Sequence, residues 1–234
     1  MIFEAIRRDV QAARDRDPAA RSVLEVAMCY PGVRAVWGHR VAHYLWANGF
    51  KLAARVVGEV TRLVTGVDIH PAAAIGPGLF IDHATGVVIG ETAQVGEDVT
   101  IYQGVTLGGT SLERTKRHPT VGDRVVIGAG AKLLGAITIG EGSRIGANAV
   151  VVRSVPPDSV VVGVPGQVIS RSRRDPDRVE ELDDTRLPDL VGASLQSLLS
   201  RVGQLEAIVH DGHPRTEAIH PPEGGVWRGE DFSI

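Results

Sequence analysis

Aliphatic residues recur every six positions through the middle of the chain. The clearest run starts at Val121 and continues at Ile127, Leu133, Ile139, Ile145 and Val151. Two earlier runs, of which the second lies two residues out of phase, are Ile69, Ile75, Ile81 and Val87, then Ile89, Val95, Ile101 and Leu107. A period of six fits neither an amphipathic helix nor an alternating strand, and it is typical of a parallel β-helix. The pattern predicts this fold over residues 67–170.

Residues 1–66 lack the hexad and show helical spacing, which predicts an N-terminal helical domain. Asp17 before Pro18 is predicted to cap a helix that runs to Tyr30. A further helix is expected to end near Asn48-Gly49, and a last one covers residues 52–65. The fold class is therefore α+β, an all-α domain followed by a β-helix.

Residues 171–234 form the third predicted segment. A highly charged connector begins it, and helical spacing returns from Leu187 to Val209. The stretch that follows is rich in proline and glycine, which is typical of a flexible tail. The pattern predicts one short helix between a connector and a tail.

Composition excludes several classes of function. The chain has 234 residues, of which 43% are hydrophobic and 23% charged, as in ordinary globular proteins. A net charge of −3 gives no electrostatic argument for nucleic acid, and no apolar run reaches the roughly 20 residues that span a membrane. The start of the chain is not typical of a signal peptide, and Cys29 stands alone, so a cytoplasmic protein is expected. Cys29 is predicted to be a buried helical residue.

The candidate chemistry lies where the hexads are interrupted. Asp68 and Asp82-His83 fall within the first coils, and Arg117-His118 ends a polar insertion between Leu107 and Val121. An imidazole held by a carboxylate is a general base for an alcohol or amine near neutral pH. Asp68 and His83 are 15 residues apart, close to the roughly 18 of a three-hexad coil, so they can lie on neighbouring coils. Solvated corner residues are the simpler alternative.

A different alternative is a zinc site. His70, His83 and His118 could supply three imidazole ligands and leave one position open, as in a zinc hydratase. This arrangement requires all three side chains to converge. It leaves Asp68, Asp82 and Arg117 without a role.

Longer motifs identify a family. The sequence reads R-D-P-A-A at 16–20, V-D-I-H-P-A-A at 67–73, D-H-A-T-G-V-V-I-G-E-T-A at 82–93, V-T-L-G-G-T at 105–110, R-H-P at 117–119 and I-G-A-G-A-K at 127–132. In this order the chain resembles the serine O-acetyltransferases, which make O-acetylserine for cysteine biosynthesis. The resemblance covers residues 16–166. It implies a left-handed β-helix and a homotrimer with active sites between subunits, while the short helical domain makes a dimer of trimers the second choice.

The resemblance also implies roles for individual residues. His83 matches the catalytic histidine and Asp68 the aspartate that orients it, whereas four positions match residues that hold L-serine: Asp17, Asp82, Arg117 and His118. Three small residues are expected along the path of acetyl-CoA: Gly109, Gly128 and Ala129. Acetyl-CoA is then a co-substrate, and no permanently bound cofactor or metal is implied.

Three further expectations follow from the resemblance. Cysteine is expected to inhibit by competing with serine. The segment Asp231-Phe232-Ser233-Ile234 is expected to dock on O-acetylserine sulfhydrylase, the next enzyme. Homoserine or a sugar remains the alternative acetyl acceptor.

Overall fold

The computed structural model describes residues 2–171 and 190–209. The first range belongs to one compact unit and the second to another. The second unit contains a helix at Leu190–Val209, which confirms the helix predicted to end at Val209. The predicted connector and tail, including the docking segment 231–234, lie outside the described residues. None of the described helices is long and apolar enough to cross a lipid bilayer.

Four helices precede the β-helix, and the last three end within two residues of the predicted positions. They are α1 (Ile2–Arg16), α2 (Val23–Cys29), α3 (Pro31–Ala47) and α4 (Lys51–Thr65), and the helix of the second unit is α5. The prediction that Asp17 caps α2 is wrong. Ser22 is the cap, because its hydroxyl accepts the N–H of Glu25 at 3.1 Å, whereas Asp17 caps a separate turn by accepting the N–H of Ala19 at 2.8 Å. Cys29 is exposed, so its predicted burial is also wrong.

The hexads form three parallel sheets, as in the predicted left-handed β-helix. Sheet 1 contains β1 (Asp68–Ile69), β4 (Val88–Ile89), β7 (Thr106–Gly108), β10 (Lys132–Leu134) and β13 (Val150–Val151). Sheet 2 contains β2 (Ala74–Ile75), β5 (Gln94–Val95), β8 (Thr120–Val121) and β11 (Thr138–Ile139). Sheet 3 contains β3 (Phe80–Ile81), β6 (Thr100–Ile101), β9 (Val126–Ile127), β12 (Arg144–Ile145), β14 (Ser159–Val162) and β15 (Gln167–Arg171). The recurring aliphatic residues stack in register and form the core.

Two insertions interrupt the regular coil of 18 residues. Asp68 pairs with Val88, 20 residues later, whereas Val88 pairs with Thr106 after the regular 18. The two extra residues lie in the turn from β3 to β4, and they explain the phase shift between the hexad runs. Thr106 pairs with Lys132 after 26 residues, so the loop between β7 and β8 adds eight. Both interruptions therefore leave the coil at its corners.

The insertions mark two different edges of the β-helix. We call the corner between sheets 3 and 1 the His83 edge, because His83 lies in its first insertion. We call the corner between sheets 1 and 2 the Arg117 edge, because Arg117 ends the longer insertion there. Sheet 1 separates the two edges in every coil.

Both ends of the β-helix are covered. Helices close the first coil, where Gly32 of α3 lies so near the carbonyl of Ile81 that a Cβ would be 1.9 Å from its oxygen. The fully buried carboxylate of Asp9 on α1 binds Arg40 of α3 at 2.7 Å and accepts the N–H of Gly78 at 3.0 Å. At the other end β15, which the hexad did not predict, pairs antiparallel with β14. The helices at one end and the antiparallel strand at the other both reduce the exposure of unpaired strand edges.

Candidate active site

His83 projects from its edge into solvent. His83 and the buried Ala84 have φ angles of 53° and 61°, and these two left-handed residues turn the chain out of the coil. The His83 side chain is 74% exposed. Its backbone N–H donates to Oδ1 of Asp82 at 2.8 Å, while Oδ2 of Asp82 lies 3.9 Å from the ring Nε2. The imidazole is therefore accessible and has a carboxylate within reach.

Asp68 lies on the coil above His83 and on the same edge. The two coils are joined there by the N–H of Gly86, which donates to the carbonyl of Gly66 at 2.9 Å. Asp68 begins β1 two residues after Gly66, and it is exposed. No hydrogen bond joins Asp68 to His83 within residues 2–171, so one chain brings the predicted pair to one edge without bonding it.

Asp17 and Asp82 come together around Tyr30, which the sequence did not single out. The Tyr30 hydroxyl donates to Oδ2 of Asp17 at 2.5 Å. Burial raises the pKa of Tyr30 to about 12, together with the hydrogen bond to Asp17 and the negative charges of Asp17, Glu25 and, least, Asp82. Tyr30 is therefore a hydrogen-bond donor to one carboxylate in a region of negative charge, and such a region is suited to an ammonium ion.

The Arg117 edge holds its side chains by ion pairs and hydrogen bonds. The guanidinium of Arg117 contacts Oε2 of Glu91, and this bond is the main reason that the pKa of Glu91 is lowered. The pair is only partly buried, with 21% of the Arg117 side chain and 38% of the Glu91 side chain exposed. Sequence reasoning missed Glu91, although it belongs to the 82–93 motif. The pair fixes the orientation of Arg117.

His118 is buried beside this pair. Its Nδ1 lies 2.9 Å from the Thr92 hydroxyl, and burial, followed by the positive charge of Arg117, lowers its pKa. Two glycines make room for the ring. A Cβ on Gly90 would lie 2.1 Å from Nε2 of His118, and one on Gly109 would lie 3.1 Å from the same atom. The predicted Gly109 thus lies directly against a predicted substrate-binding residue.

Gly128 and Ala129 lie at the corner between sheets 3 and 1, on the same side of the β-helix as His83. A Cβ on Gly128 would lie 2.7 Å from the backbone nitrogen of Ala147 in the next coil. Close stacking of coils is therefore sufficient to require glycine at this position. The contact of Gly128 and Ala129 with acetyl-CoA stays a prediction.

One chain leaves the two edges apart. The four residue steps from Gly86 to Gly90 span about 13 Å across sheet 1 in an extended strand. His83 lies at one end of this span, and Arg117 and His118 lie at the other. A cavity of about 730 Å³ between α3 and sheet 2 is lined by none of the predicted site residues. The predicted site is therefore divided between two edges of the chain.

Within one chain, the same separation keeps apart the three histidines of the zinc alternative. His70 lies on the Arg117 edge, where its Nδ1 accepts the N–H of Ala72 at 3.1 Å, whereas His83 lies across sheet 1. Within the part of the chain that the structure describes, no group of three or more histidine, cysteine or acidic residues is arranged to hold a metal ion. One chain alone therefore does not bring the three imidazoles together, and the zinc alternative would need two subunits.

Comparison with known proteins identifies the class. The family model for bacterial transferase hexapeptide (six repeats) matches residues 118–153. Together with the three-sided coil and the polar groups on its edges, this match defines a hexapeptide-repeat transferase. A serine acetyltransferase of Mycobacterium tuberculosis is 66% identical over 234 residues, covering all of both chains. One of Bacillus subtilis is 47% identical over 92% of this chain and 98% of its own. The chain belongs to the serine acetyltransferase family, and it is an acyltransferase.

Solved structures agree with this assignment. The serine acetyltransferase of Neisseria gonorrhoeae superposes with a TM-score of 0.73 at 45% identity, over 75% of this chain and 69% of that one. The same enzyme has been solved in complex with serine, with a TM-score of 0.70 at 45% identity over 72% and 69% of the two chains. A serine acetyltransferase in complex with cysteine matches with a TM-score of 0.72 at 44% identity, over 74% and 67%.

Proposed function

We propose that this chain transfers the acetyl group of acetyl-CoA to the hydroxyl of L-serine, giving O-acetylserine and free CoA. The observation that carries the proposal is the presence of two complementary edges. One edge presents an exposed histidine among carboxylates, and the other presents an arginine and a histidine that are already held in place. The family assignment and the serine complex of a relative support the same substrate.

His83 is the general base of the proposed reaction. It removes the proton of the serine hydroxyl as that oxygen attacks the thioester carbonyl, and a tetrahedral intermediate forms. When the carbon–sulfur bond breaks, the imidazolium returns this proton to the thiolate of CoA. Asp68, on the same edge, orients the imidazole and stabilises its charged form. The first step requires an imidazole nitrogen that is free to accept a proton and the second requires the same nitrogen to give it up, and the exposure of His83 allows both.

Serine is recognised through its two charged groups. Its ammonium group lies beside Asp17 and Asp82, whose negative charges both act on the Tyr30 hydroxyl. Its carboxylate binds Arg117 and accepts a hydrogen bond from His118, since a planar guanidinium suits a carboxylate. A sugar lacks both charged groups, and homoserine places its hydroxyl one methylene farther from His83. The site therefore favours serine over the alternative acceptors.

A molecule as small as serine cannot contact both edges of one chain. We infer that the His83 edge of one subunit faces the Arg117 edge of the next in a homotrimer, which brings the two half-sites together. Acetyl-CoA would then lie in the same seam, along Gly109, Gly128 and Ala129. Cysteine differs from serine by one atom, so it competes for this site as an inhibitor. Docking of residues 231–234 on O-acetylserine sulfhydrylase stays a prediction.

The reaction is tested by following release of the CoA thiol from acetyl-CoA with serine, homoserine or a sugar, each with and without cysteine. Wild-type protein should use serine best and should lose turnover when cysteine is added. His83→Ala should lower kcat by about 10²–10⁴-fold, the usual contribution of a general base. A preference for homoserine or a sugar would contradict the acceptor, and near-full activity of His83→Ala would contradict the base.

Complementation tests whether the site lies between subunits. His83→Ala chains and Arg117→Ala chains are each expected to be inactive, so they are unfolded together and refolded as a mixture. If each site takes His83 from one subunit and Arg117 from its neighbour, roughly one quarter of the sites in randomly mixed trimers are intact. A site within one chain would give no recovery. The separately refolded variants, mixed afterwards, are the control.

A further inference from the structure

Thr92 lies in the turn after β4, beside the end of the 109–119 loop. Its hydroxyl oxygen accepts two hydrogen bonds, from the backbone N–H of Arg117 at 3.0 Å and from that of His118 at 3.0 Å. These two donors fill the acceptor positions of a hydroxyl group, which leaves its proton to be donated. Nδ1 of His118 lies 2.9 Å away and is the partner for that proton.

A second donor points at the same nitrogen. The backbone N–H of Thr92 donates to Nδ1 of His118 at 3.2 Å. An imidazole nitrogen that accepts hydrogen bonds holds a lone pair and carries no proton. The proton of His118 is therefore on Nε2, and the ring is neutral.

The ring also has little freedom to turn away from this partner. It packs against the backbone of Gly90, where a Cβ would lie 2.0 Å from Cδ2 of the ring. His118 is 8% exposed, so the neighbouring loop covers most of it. The Thr92 hydroxyl thus sets the backbone that carries His118, the tautomer of its ring and the direction of its Nε2–H.

We propose that Thr92 is a positioning residue of this site, which holds His118 as a neutral Nε2–H donor directed at the amino-acid substrate. The identity of that substrate as serine rests on the proposed function. Arg117 then supplies the positive charge that attracts the carboxylate, and His118 supplies a directional hydrogen bond. The two neighbours divide recognition between charge and direction.

The charges around His118 favour the same neutral state. Arg117 and Lys116 are positive and oppose protonation, whereas Glu91 is negative and favours it. His70 lies close enough to interact electrostatically with His118. Protonation would also set an Nδ1–H against the two donors of Thr92, which no rotation of the hydroxyl can relieve, because its oxygen is held by two backbone N–H groups.

The direct test is the nitrogen NMR spectrum of the full chain labelled with ¹⁵N-histidine, with His118→Gln used to assign the His118 signals. The expected result is a protonated Nε2 and an unprotonated Nδ1 that persist from pH 7.5 to pH 6. A protonated Nδ1, or an imidazolium in this range, would overturn the proposal. This measurement needs no variant at Thr92 and no activity.

Two substitutions at Thr92 separate the hydroxyl from the shape of the side chain. Thr92→Val removes the hydroxyl and keeps the branched shape, and Thr92→Ser keeps the hydroxyl. Because valine keeps the backbone N–H that donates to Nδ1, Thr92→Val should shift the tautomer ratio of His118 only partly toward Nδ1–H. It should raise the KM for serine about tenfold, the effect of one lost hydrogen bond, while the KM for acetyl-CoA stays within twofold. Thr92→Ser should restore both values. Thr138→Val, at an exposed threonine of β11, is the matched control.

The outcomes distinguish this proposal from the proposed function. If Thr92→Val changes neither the tautomer ratio of His118 nor the KM for serine, the positioning role of the hydroxyl is wrong. If wild-type protein shows the Nε2–H form but no serine-dependent release of CoA, the proposed acceptor fails and the positioning role stands. A Thr92→Val protein that does not fold leaves the wild-type spectrum and Thr92→Ser to decide.

Discussion

The two edges that border sheet 1 are built in opposite ways. On the His83 edge the proposed general base, His83, is 74% exposed, and it is one of two left-handed residues at an insertion. On the Arg117 edge the important side chains are paired or hydrogen-bonded, and His118 is 8% exposed. The same coil therefore has an exposed His83 edge and an Arg117 edge whose side chains are held in place.

This difference agrees with the proposed roles of the two edges. A general base exchanges its proton in every turnover, so one of its nitrogens has to be free of protein partners. Groups that bind a charged substrate work best when their orientation is fixed beforehand, since the cost of ordering them is then met during folding. The comparison predicts that substitutions behind the Arg117 edge change substrate affinity and stability, whereas those on the His83 edge change the rate.

The largest effect on the Arg117 edge is expected for Gly90→Ala. The added Cβ would lie 2.0 Å from Cδ2 of His118, so the ring has to move by about 1 Å. Displacements of this size cost about 100-fold in rate, and we expect that loss in kcat/KM for serine. Steady-state kinetics measure it. Gly58→Ala is the control, because the Cβ there meets Pro71 at an ordinary 3.5 Å. Equal kinetics for the two variants would show that His118 is not held in place.

The second largest effect is a loss of folding stability in acid, and it arises behind the Arg117 edge. His39 of α3 lies behind this edge. Its ring centroid is 5.6 Å from that of His43, and Nδ1 of His43 contacts the Pro71 carbonyl at 2.9 Å. Burial, followed by the charges of His43 and Arg40, lowers the pKa of His39 to about 3. The unfolded chain binds a proton at His39 below its ordinary pKa of about 6.5 and the folded chain does not, so stability falls as the pH falls from about 6.5.

The expected loss from His39 alone is about 2 kcal/mol between pH 7 and pH 5, measured by urea unfolding at each pH. His39→Leu should remove most of this pH dependence. His83→Gln, on the exposed edge, should leave the dependence as in wild type. A His39→Leu protein with the full wild-type dependence would assign the acid sensitivity to other groups.

A smaller effect is expected for Glu91→Gln. The substitution removes the charge that holds Arg117 and keeps the size of the side chain. Because the pair is partly exposed, its contribution is about 1 kcal/mol, which corresponds to an increase in the KM for serine of about fivefold. Titration with serine measures the change, and Glu97→Gln, which removes an exposed partner of Arg8 on another corner, is the control. A decrease in KM would show that Glu91 competes with the substrate carboxylate.

The sequence was sufficient to predict the architecture because the signal is periodic. Aliphatic residues at every sixth position specify which side chains enter a narrow coil, and interruptions of the period specify where the chain leaves it. The phase shift near Val87 and the insertion before Val121 were both visible, and they mark the two edges. The helix at Leu190–Val209 was visible for the same reason.

The sequence could not show which groups support the site. Tyr30 is 13 residues from Asp17, and Thr92 is 26 residues from His118, so no local pattern connects them. Asp17 was assigned to a helix cap because a proline follows it, whereas a turn and Tyr30 take up its carboxylate. Likewise, β15 has no hexad, since it pairs antiparallel and closes the coil. These features depend on contacts between residues that are distant in sequence rather than on local spacing.

The smallest effect compares one buried alanine on each edge. Ala84 is fully buried at φ 61°, and Ala93 is 1% exposed and has no positive φ. Replacement by glycine removes the same methyl group at both positions, a loss of about 0.8 kcal/mol. At Ala84 the loss is offset by about 1 kcal/mol, because glycine adopts positive φ without steric cost. Ala84→Gly should therefore be about 1 kcal/mol more stable than Ala93→Gly in urea unfolding, and equal values would show that the His83 edge is unstrained.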